Sequence, residues 1–144
     1  ISSFSGAKNR LEFFDRINPN SAVYRDFAHS PSKVKASIDA LKDLFPKRKL
    51  ISCLELHTFS SLTFEFLSEY KNVFQKSDFV WLFFSPKEIQ NKGLDLFFNK
   101  DLLELINHPN VKISNNLSQL VVNFQNTTTV NFHFIISINY IFCF

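Results

Sequence analysis

Asp26 and His29 are the two side chains whose types and spacing best suit ligand chemistry. They lie in Val23-Tyr24-Arg25-Asp26-Phe27-Ala28-His29-Ser30-Pro31, a segment typical of a short strand, a polar loop and the start of a helix. Pro31 suits the first helical position, and Ser30 before it can act as the N-cap that accepts from a free backbone N–H. In open α/β sheets, ligands bind beyond the carboxyl end of a strand, where a helix N-terminus adds partial positive charge. By themselves, however, an Asp and a His in such a loop are more often a cap and a surface residue.

The segments around this loop alternate between strand and helix patterns. Apolar runs predict buried strands, and apolar residues at helical spacing predict helices between them. We expect strands at 22–27, 50–56, 78–84, 111–113 and 130–138, helices at 31–45, 62–75, 102–106 and 115–123, and irregular structure at 87–98. Such alternation predicts an α/β fold, a three-layer sandwich with a parallel sheet and right-handed crossovers.

The composition argues against several classes of protein. A chain of 144 residues with 45% hydrophobic residues is one domain by size, and its net charge of +3 gives no electrostatic case for nucleic-acid binding. Cys53 and Cys143 are too few for a disulfide framework or a zinc site, so we expect a buried free thiol and a reducing cytosol. The first residues show no signal-peptide pattern, and the apolar run 132–144 is too short for a membrane helix.

Three segments carry a resemblance to a known family. Segment 23–31 is similar to a strand that ends in Asp-aromatic-Ala/Gly-His-x-Pro, and segment 4–12 is similar to Phe-x-Gly-x-x-x-Arg-x-Glu. Glu55-Leu56-His57-Thr58-Phe59-Ser60-Ser61-Leu62 looks like the loop after the next strand. In this order, over about residues 4–120, the chain resembles the C-terminal domain of the Mur ligase family. The third segment favours the branch that reattaches a recycled peptide to UDP-N-acetylmuramate.

This resemblance implies a Rossmann-like, mostly parallel sheet with an antiparallel edge strand and helices on both faces. It also implies a part in an ATP-dependent amide ligase that joins UDP-N-acetylmuramate to the amine of a peptide acceptor. The chemistry needs Mg²⁺ and a phosphate loop of the type GxxxxGK[ST], which the two glycines Gly6 and Gly93 do not form. In the family, that loop, the metal ligands and the UDP-sugar site lie on two other domains. We therefore expect ATP and Mg²⁺ in the full-length enzyme and no turnover from this chain alone.

The resemblance also implies roles for individual residues. Arg10 matches an Arg that family members aim at the terminal phosphate, which suits a permanently charged bidentate donor. Asp26 matches the Asp that accepts from the ribose hydroxyls of ATP. On the acceptor side the resemblance places Phe27, His29, His57, Thr58 and Ser60. Structural roles stay open for these residues: a surface Arg, an Asx cap and histidines that hold a loop.

Two kinds of departure from the family pattern bear on the substrate. Asn9 stands where a second Arg is frequent, and Arg25 stands where a second Asp is frequent, so that it could pair with Asp26 or reshape the loop. In the branch that adds free L-alanine, arginines after the second strand grip the amino-acid carboxylate. Thr58 and Ser61 occupy the matching positions here, which favours a peptide acceptor.

The last part of the chain is unusual because no Asp, Glu, Lys or Arg follows Lys112. We divide the chain into a domain at 1–120 and an atypical uncharged tail at 121–144, which could hold the final strand and a truncated, frameshifted or divergent end. Two alternatives to the recycling ligase remain. One is a non-catalytic nucleotide-binding or interaction module, and the other is a domain of the L-alanine-adding Mur ligase.

Overall fold

The computed structural model describes residues 11–18, 21–56, 63–91, 99–114 and 132–137. The strands within these ranges are β1 (Glu12–Asn18), β2 (Ser21–Arg25), β3 (Lys49–Glu55), β4 (Phe79–Phe83), β5 (Val111–Ser114) and β6 (Phe132–Ser137). The helices are α1 (Pro31–Leu44), α2 (Phe64–Ser68), α3 (Pro86–Asn91) and α4 (Asn99–Ile106).

The six strands form one sheet in the order β1-β2-β6-β3-β4-β5. β1 pairs antiparallel with β2, whereas β6 pairs parallel with both β2 and β3, and β4 and β5 continue the sheet in parallel. The connection from β2 through α1 to β3 therefore passes over the position of β6. This topology confirms the predicted mixed α/β fold with a mostly parallel sheet and an antiparallel edge strand.

The side chains of β3 alternate between two apolar clusters, as the pleat of a strand requires. Leu50 and Leu54 belong to the larger cluster, which the helices complete with Ile38, Leu67 and Ile106 among others. On the opposite face, the smaller cluster consists of Val23, Ile51, Cys53 and Trp81. Because the buried residues of both clusters are at most 7% exposed, the sheet is buried on both faces along β3 and β4.

Helix α1 begins at Pro31 as predicted, and Phe45 ends it by donating its N–H to the carbonyl of Leu41. Ser30 occupies the N-cap position with an extended backbone, but its side chain makes no capping hydrogen bond. The expectation that this side chain accepts from a backbone N–H is therefore wrong. The Ser30 carbonyl instead accepts from the N–H of Val34 at 3.0 Å, which closes the first helical turn.

Two further element predictions differ from the structure. The helix expected at 62–75 ends at Ser68 and continues as turns, with Asn72 in the left-handed region at φ 66°. The segment 87–98, expected to be irregular, contains most of α3. The strand expected at 130–138 is present as β6, and the helix expected at 115–123 lies outside the described residues.

Candidate functional site

The loop that follows β2 alternates between buried and exposed side chains. Asp26 and Ala28 are 5% and 4% exposed, whereas Phe27 is 51% exposed and His29 is also exposed. The alternation continues the pleat of β2 for four residues beyond its last strand residue. Two side chains therefore anchor the loop, and two aromatic rings are presented at the carboxyl end of the strand.

Asp26 is anchored to helix α1. The hydroxyl of Ser37 donates to Asp26 Oδ2, and the same oxygen of Ser37 lies 3.1 Å from the carbonyl oxygen of Lys33. Ser37 is itself 9% exposed, so this hydrogen bond lies in the protein interior. The carboxylate thus accepts a hydroxyl hydrogen bond of the kind that a sugar hydroxyl would also donate.

The ring of His29 is held by its own loop. His29 Nδ1 lies 3.0 Å from the carbonyl oxygen of Phe27, and the two rings meet edge to face with centroids 5.7 Å apart at 71°. Since a carbonyl oxygen only accepts, Nδ1 carries the proton of this hydrogen bond. In the neutral ring, Nε2 is then left as an acceptor.

Tyr70, in the turns after α2, supports the backbone of this loop. Its hydroxyl donates to the carbonyl oxygen of His29 at 3.1 Å, across 41 residues of sequence. Burial, with a smaller contribution from the charge of Glu69, raises the pKa of the Tyr70 hydroxyl, which keeps it protonated as a donor.

Arg25, the residue before Asp26, makes an ion pair with the edge strand. Its Nη2 lies 2.9 Å from Glu12 Oε2, and its guanidinium carbon lies 5.5 Å from the centroid of the Phe14 ring. Pairing with Asp26 was one expectation for Arg25. In the structure Arg25 pairs with Glu12, and it thereby joins β2 to β1 on one side of the loop.

Three of the predicted site residues come together in the structure: Asp26, Phe27 and His29 all belong to the one loop. The other predicted residues, Arg10, His57, Thr58 and Ser60, lie outside the described residues. Sequence reasoning missed two hydroxyl groups that hold the loop. Ser37 follows a helical pattern and Tyr70 falls on an apolar face, so neither spacing separates an anchoring hydroxyl from an ordinary core residue.

Within the described part of the chain, no three His, Cys, Asp or Glu side chains are grouped so that they could hold a metal ion. The helices in these ranges are also too short or too polar for any of them to cross a membrane.

Sequence comparison relates the chain to ligases, although no family model matches it. It is 28% identical over 126 residues to UDP-N-acetylmuramate–L-alanine ligase of Streptococcus agalactiae, covering 76% of this chain and 28% of the relative. The corresponding ligase of Streptococcus equi subsp. zooepidemicus is 29% identical over 125 residues, covering 84% of this chain and 27% of the relative. The chain thus spans little more than a quarter of the length of these relatives.

Solved structures share the fold. A domain from a ligase described as acting on UDP-N-acetylmuramate and L-alanyl-γ-D-glutamyl-meso-diaminopimelate, from Haemophilus ducreyi, has a TM-score of 0.63 at 23% identity, covering 91% of this chain and 89% of that domain. The murein peptide ligase of Psychrobacter arcticus has a TM-score of 0.68 at 16% identity, covering 93% of this chain and 27% of that one.

A more distant neighbour was solved with nucleotides. Folylpolyglutamate synthase of Mycobacterium tuberculosis, complexed with ADP and AMPPCP, has a TM-score of 0.51 at 21% identity, covering 91% of this chain and 29% of that one. These proteins are described as ligases or, in the last case, as a synthase, and the aligned part is their C-terminal region. The chain is therefore a homologue of Mur ligases and has the fold of their C-terminal domain.

Proposed function

We propose that this chain is the C-terminal domain of an ATP-dependent amide ligase that acts on UDP-N-acetylmuramate, where it helps to bind ATP and the acceptor. The observation that carries the proposal is the loop after β2. Asp26 is fixed below the loop by Ser37, while Phe27 and His29 are presented at the carboxyl end of a parallel strand. Ligands of open α/β sheets bind beyond the carboxyl ends of the strands. At this place the connection from β2 to β3 also passes over β6, which comes later in the sequence.

On the nucleotide side, Asp26 would accept from the ribose hydroxyls and Arg10 would reach the terminal phosphate. The carboxylate suits this role because it already accepts from a hydroxyl and has further lone pairs. Its small exposed fraction of 5% means that a ribose would meet only one edge of it. When bound, ATP supplies the phosphoryl group that activates the carboxylate of the sugar substrate, with Mg²⁺ held by other domains.

On the acceptor side, the chemistry of the chain favours a peptide. No Lys or Arg occurs between Lys49 and Lys71, so the segment that contains His57, Thr58 and Ser60 offers no permanently charged side chain to a free amino-acid carboxylate. A peptide presents more apolar surface and more backbone groups. The exposed ring of Phe27 and the Nε2 acceptor of His29 suit such a ligand.

The second candidate is the branch that adds L-alanine. The curated relatives described above are L-alanine ligases, and their similarity covers 76% of this chain or more. The fold does not separate the two branches, because both belong to one structural family. The two candidate ligases would bind different acceptors, a peptide or L-alanine, and both would bind ATP.

A buried free thiol at Cys53 suits a reducing compartment, in keeping with a cytoplasmic enzyme.

We expect no ligase or ATPase turnover from the chain alone, because the phosphate loop would lie on another domain. Phosphate release that Arg10→Ala abolishes would contradict this expectation. It would favour a self-sufficient nucleotide enzyme.

The test is a titration of the isotopically labelled chain followed by NMR. We expect millimolar ADP to shift the amide signals of residues 26–30, and Asp26→Asn to weaken this binding about tenfold, as the loss of a charged acceptor would. Asp43→Asn, which removes an exposed carboxylate of α1, is the matched control. ADP shifts confined to other parts of the chain, or an equal effect of the two variants, would contradict the assignment of the site.

A second titration separates the acceptors. The tripeptide L-alanyl-γ-D-glutamyl-meso-diaminopimelate and free L-alanine are added in turn to the chain with ADP present. Shifts at Phe27 and His29 with the tripeptide at concentrations where L-alanine gives none would support the recycling branch. The reverse order would establish the L-alanine branch instead.

A further inference from the structure

We propose that Tyr70 is a positioning residue for the acceptor site, because its hydroxyl fixes the loop of Phe27 and His29 to the turns that follow α2. That the loop binds the acceptor rests on the proposed function. The positional part concerns this chain alone and can be tested without substrate.

The first observation is a chain of two hydrogen bonds. The Tyr70 hydroxyl donates to the carbonyl of His29 at 3.1 Å, and the His29 ring donates from Nδ1 to the carbonyl of Phe27 at 3.0 Å. Tyr70 thus fixes the backbone of His29, and the Phe27 carbonyl fixes the ring of His29. Loss of the hydrogen bond from Tyr70 would free the His29 backbone, on which the hydrogen bond between His29 and Phe27 depends.

The second observation is the rigidity of the group that donates. Tyr70 is 0% exposed, and its ring stacks on Phe74 with centroids 5.9 Å apart at 13°. Phe66 meets the same ring edge to face at 5.8 Å and 73°. A hydroxyl carried by a ring packed on two sides is a stationary donor, since buried aromatic rings move little in a close-packed core.

The third observation is the position of Tyr70 in the sequence. Helix α2 begins directly after residues 57–62, with Thr63 as N-cap whose side chain accepts from the N–H of Phe66 at 3.4 Å. Tyr70 follows α2 by two residues. The turns after α2 therefore hold the loop after β2, although 41 residues of sequence separate Tyr70 from His29.

The experiment compares Tyr70→Phe with Ser68→Ala. The first variant keeps the ring and removes its hydroxyl. The second removes an exposed hydroxyl of α2 that donates to the Glu65 carbonyl at 2.6 Å and has no part in the loop. The readouts are the nitrogen signals of the His29 ring and the amide signal of Ser30, which follows the His29 carbonyl, with all variants recorded at one pH.

We expect Tyr70→Phe to move the His29 ring from a predominantly Nδ1–H form towards a mixture of tautomers and to shift the Ser30 amide. Ser68→Ala should leave both signals as in the wild type. With the tripeptide as probe, Tyr70→Phe should weaken binding about fivefold, as one hydrogen bond would, and leave ADP affinity unchanged.

Unchanged ring and amide signals in Tyr70→Phe would overturn the inference, and so would an equal loss of tripeptide and ADP affinity. A wild-type chain that binds neither probe would count against the proposed function, while the ring signals would still decide the role of Tyr70. Should Tyr70→Phe fail to fold, the wild type gives a second measurement. A slowly exchanging Tyr70 hydroxyl proton close to the His29 backbone would support the contact, and rapid exchange would refute it.

Discussion

Lys42 Nζ donates to Asp78 Oδ2 at 2.9 Å and so joins α1 to the residue before β4, 36 positions later. The same carboxylate oxygen accepts from the backbone N–H of Leu50 at 2.8 Å, and the Asp78 N–H donates back to the Leu50 carbonyl at 2.8 Å. Asp78 therefore joins α1, β3 and β4 at the amino ends of these two strands, whereas the candidate site lies at the carboxyl end of β2. This contact holds the scaffold on which the loop after β2 is built.

Asp78→Ala should destabilise the protein by about 2 kcal/mol, because it leaves the N–H of Leu50 without its carboxylate acceptor. Lys42→Met removes the partly exposed ion pair and the hydrogen bond that Lys42 Nζ donates to the Arg48 carbonyl at 2.9 Å, and it should cost about 1 kcal/mol. Urea unfolding followed by circular dichroism measures both free energies of unfolding. Equal losses in the two variants would mean that the bond to Leu50 contributes nothing.

Ser37→Ala should cost about 1–3 kcal/mol of unfolding free energy, because it removes the hydroxyl that donates to the buried carboxylate of Asp26. Ser52→Ala is the matched control, since Ser52 is also buried and its Oγ lies 2.6 Å from the neutral Oγ of Ser77. Hydrogen bonds to charged groups are the stronger kind, so the loss at Ser37 should be larger. Denaturant unfolding measures the loss of unfolding free energy in both variants. A larger loss in Ser52→Ala than in Ser37→Ala would contradict a stabilising hydrogen bond from Ser37 to Asp26.

Asp39 should make stability depend on pH. The hydrogen bonds from Lys35 and, second, from Lys76 hold the pKa of Asp39 below its ordinary value. A carboxyl with a lowered pKa in the folded state stabilises the protein above its unfolded pKa of about 3.9, and this contribution disappears as the pH falls through the folded value. The difference in unfolding free energy between wild type and Asp39→Asn should thus be present at about pH 6 and vanish in acid. Salt should shrink the difference at about pH 6, because the groups are partly exposed. A difference that grew on acidification would contradict the direction of the shift.

Ile135→Pro should abolish cooperative folding, because position 135 pairs with Tyr24 on one side and with Ser52 on the other. Proline has no N–H to donate and is confined to sheet edges. Phe14→Pro on the edge strand β1 is the control and should leave a folded protein of reduced stability. Thermal unfolding followed by circular dichroism distinguishes the two. A cooperative transition in Ile135→Pro would show that β6 is dispensable.

The apolar runs of the sequence predicted the interior strands because buried strands select apolar residues on both faces. β1 was not predicted as one element, since Phe13 and Phe14 are both about half exposed and its pattern mixes charged and aromatic residues. The length of α2 was also overestimated. Leu67, Tyr70 and Val73 recur every three residues, a spacing that an α-helix and a series of tight turns both satisfy.

The candidate site was predictable only in part. The positions of Asp26 and His29 in a loop between a strand and a helix were predicted, because an apolar strand pattern precedes them and Pro31 after them is typical of the first helical position. The anchors Ser37 and Tyr70 were missed, since each acts through a partner 11 or 41 residues away that no local pattern indicates. Recognition of such hydroxyl groups needs the folded arrangement.

The central place of β6 has a consequence for biosynthesis. Of the described strands it leaves the ribosome last, yet it separates β2 from β3 in the sheet. Until it is made, the β1–β2 hairpin and the β3–β4–β5 group each present an open edge, and such edges can pair with other chains. Long-range parallel pairing is also slow to form. β6 therefore has to enter between strands that are already synthesised, and a nascent chain would be most exposed to pairing with other chains before β6 is made.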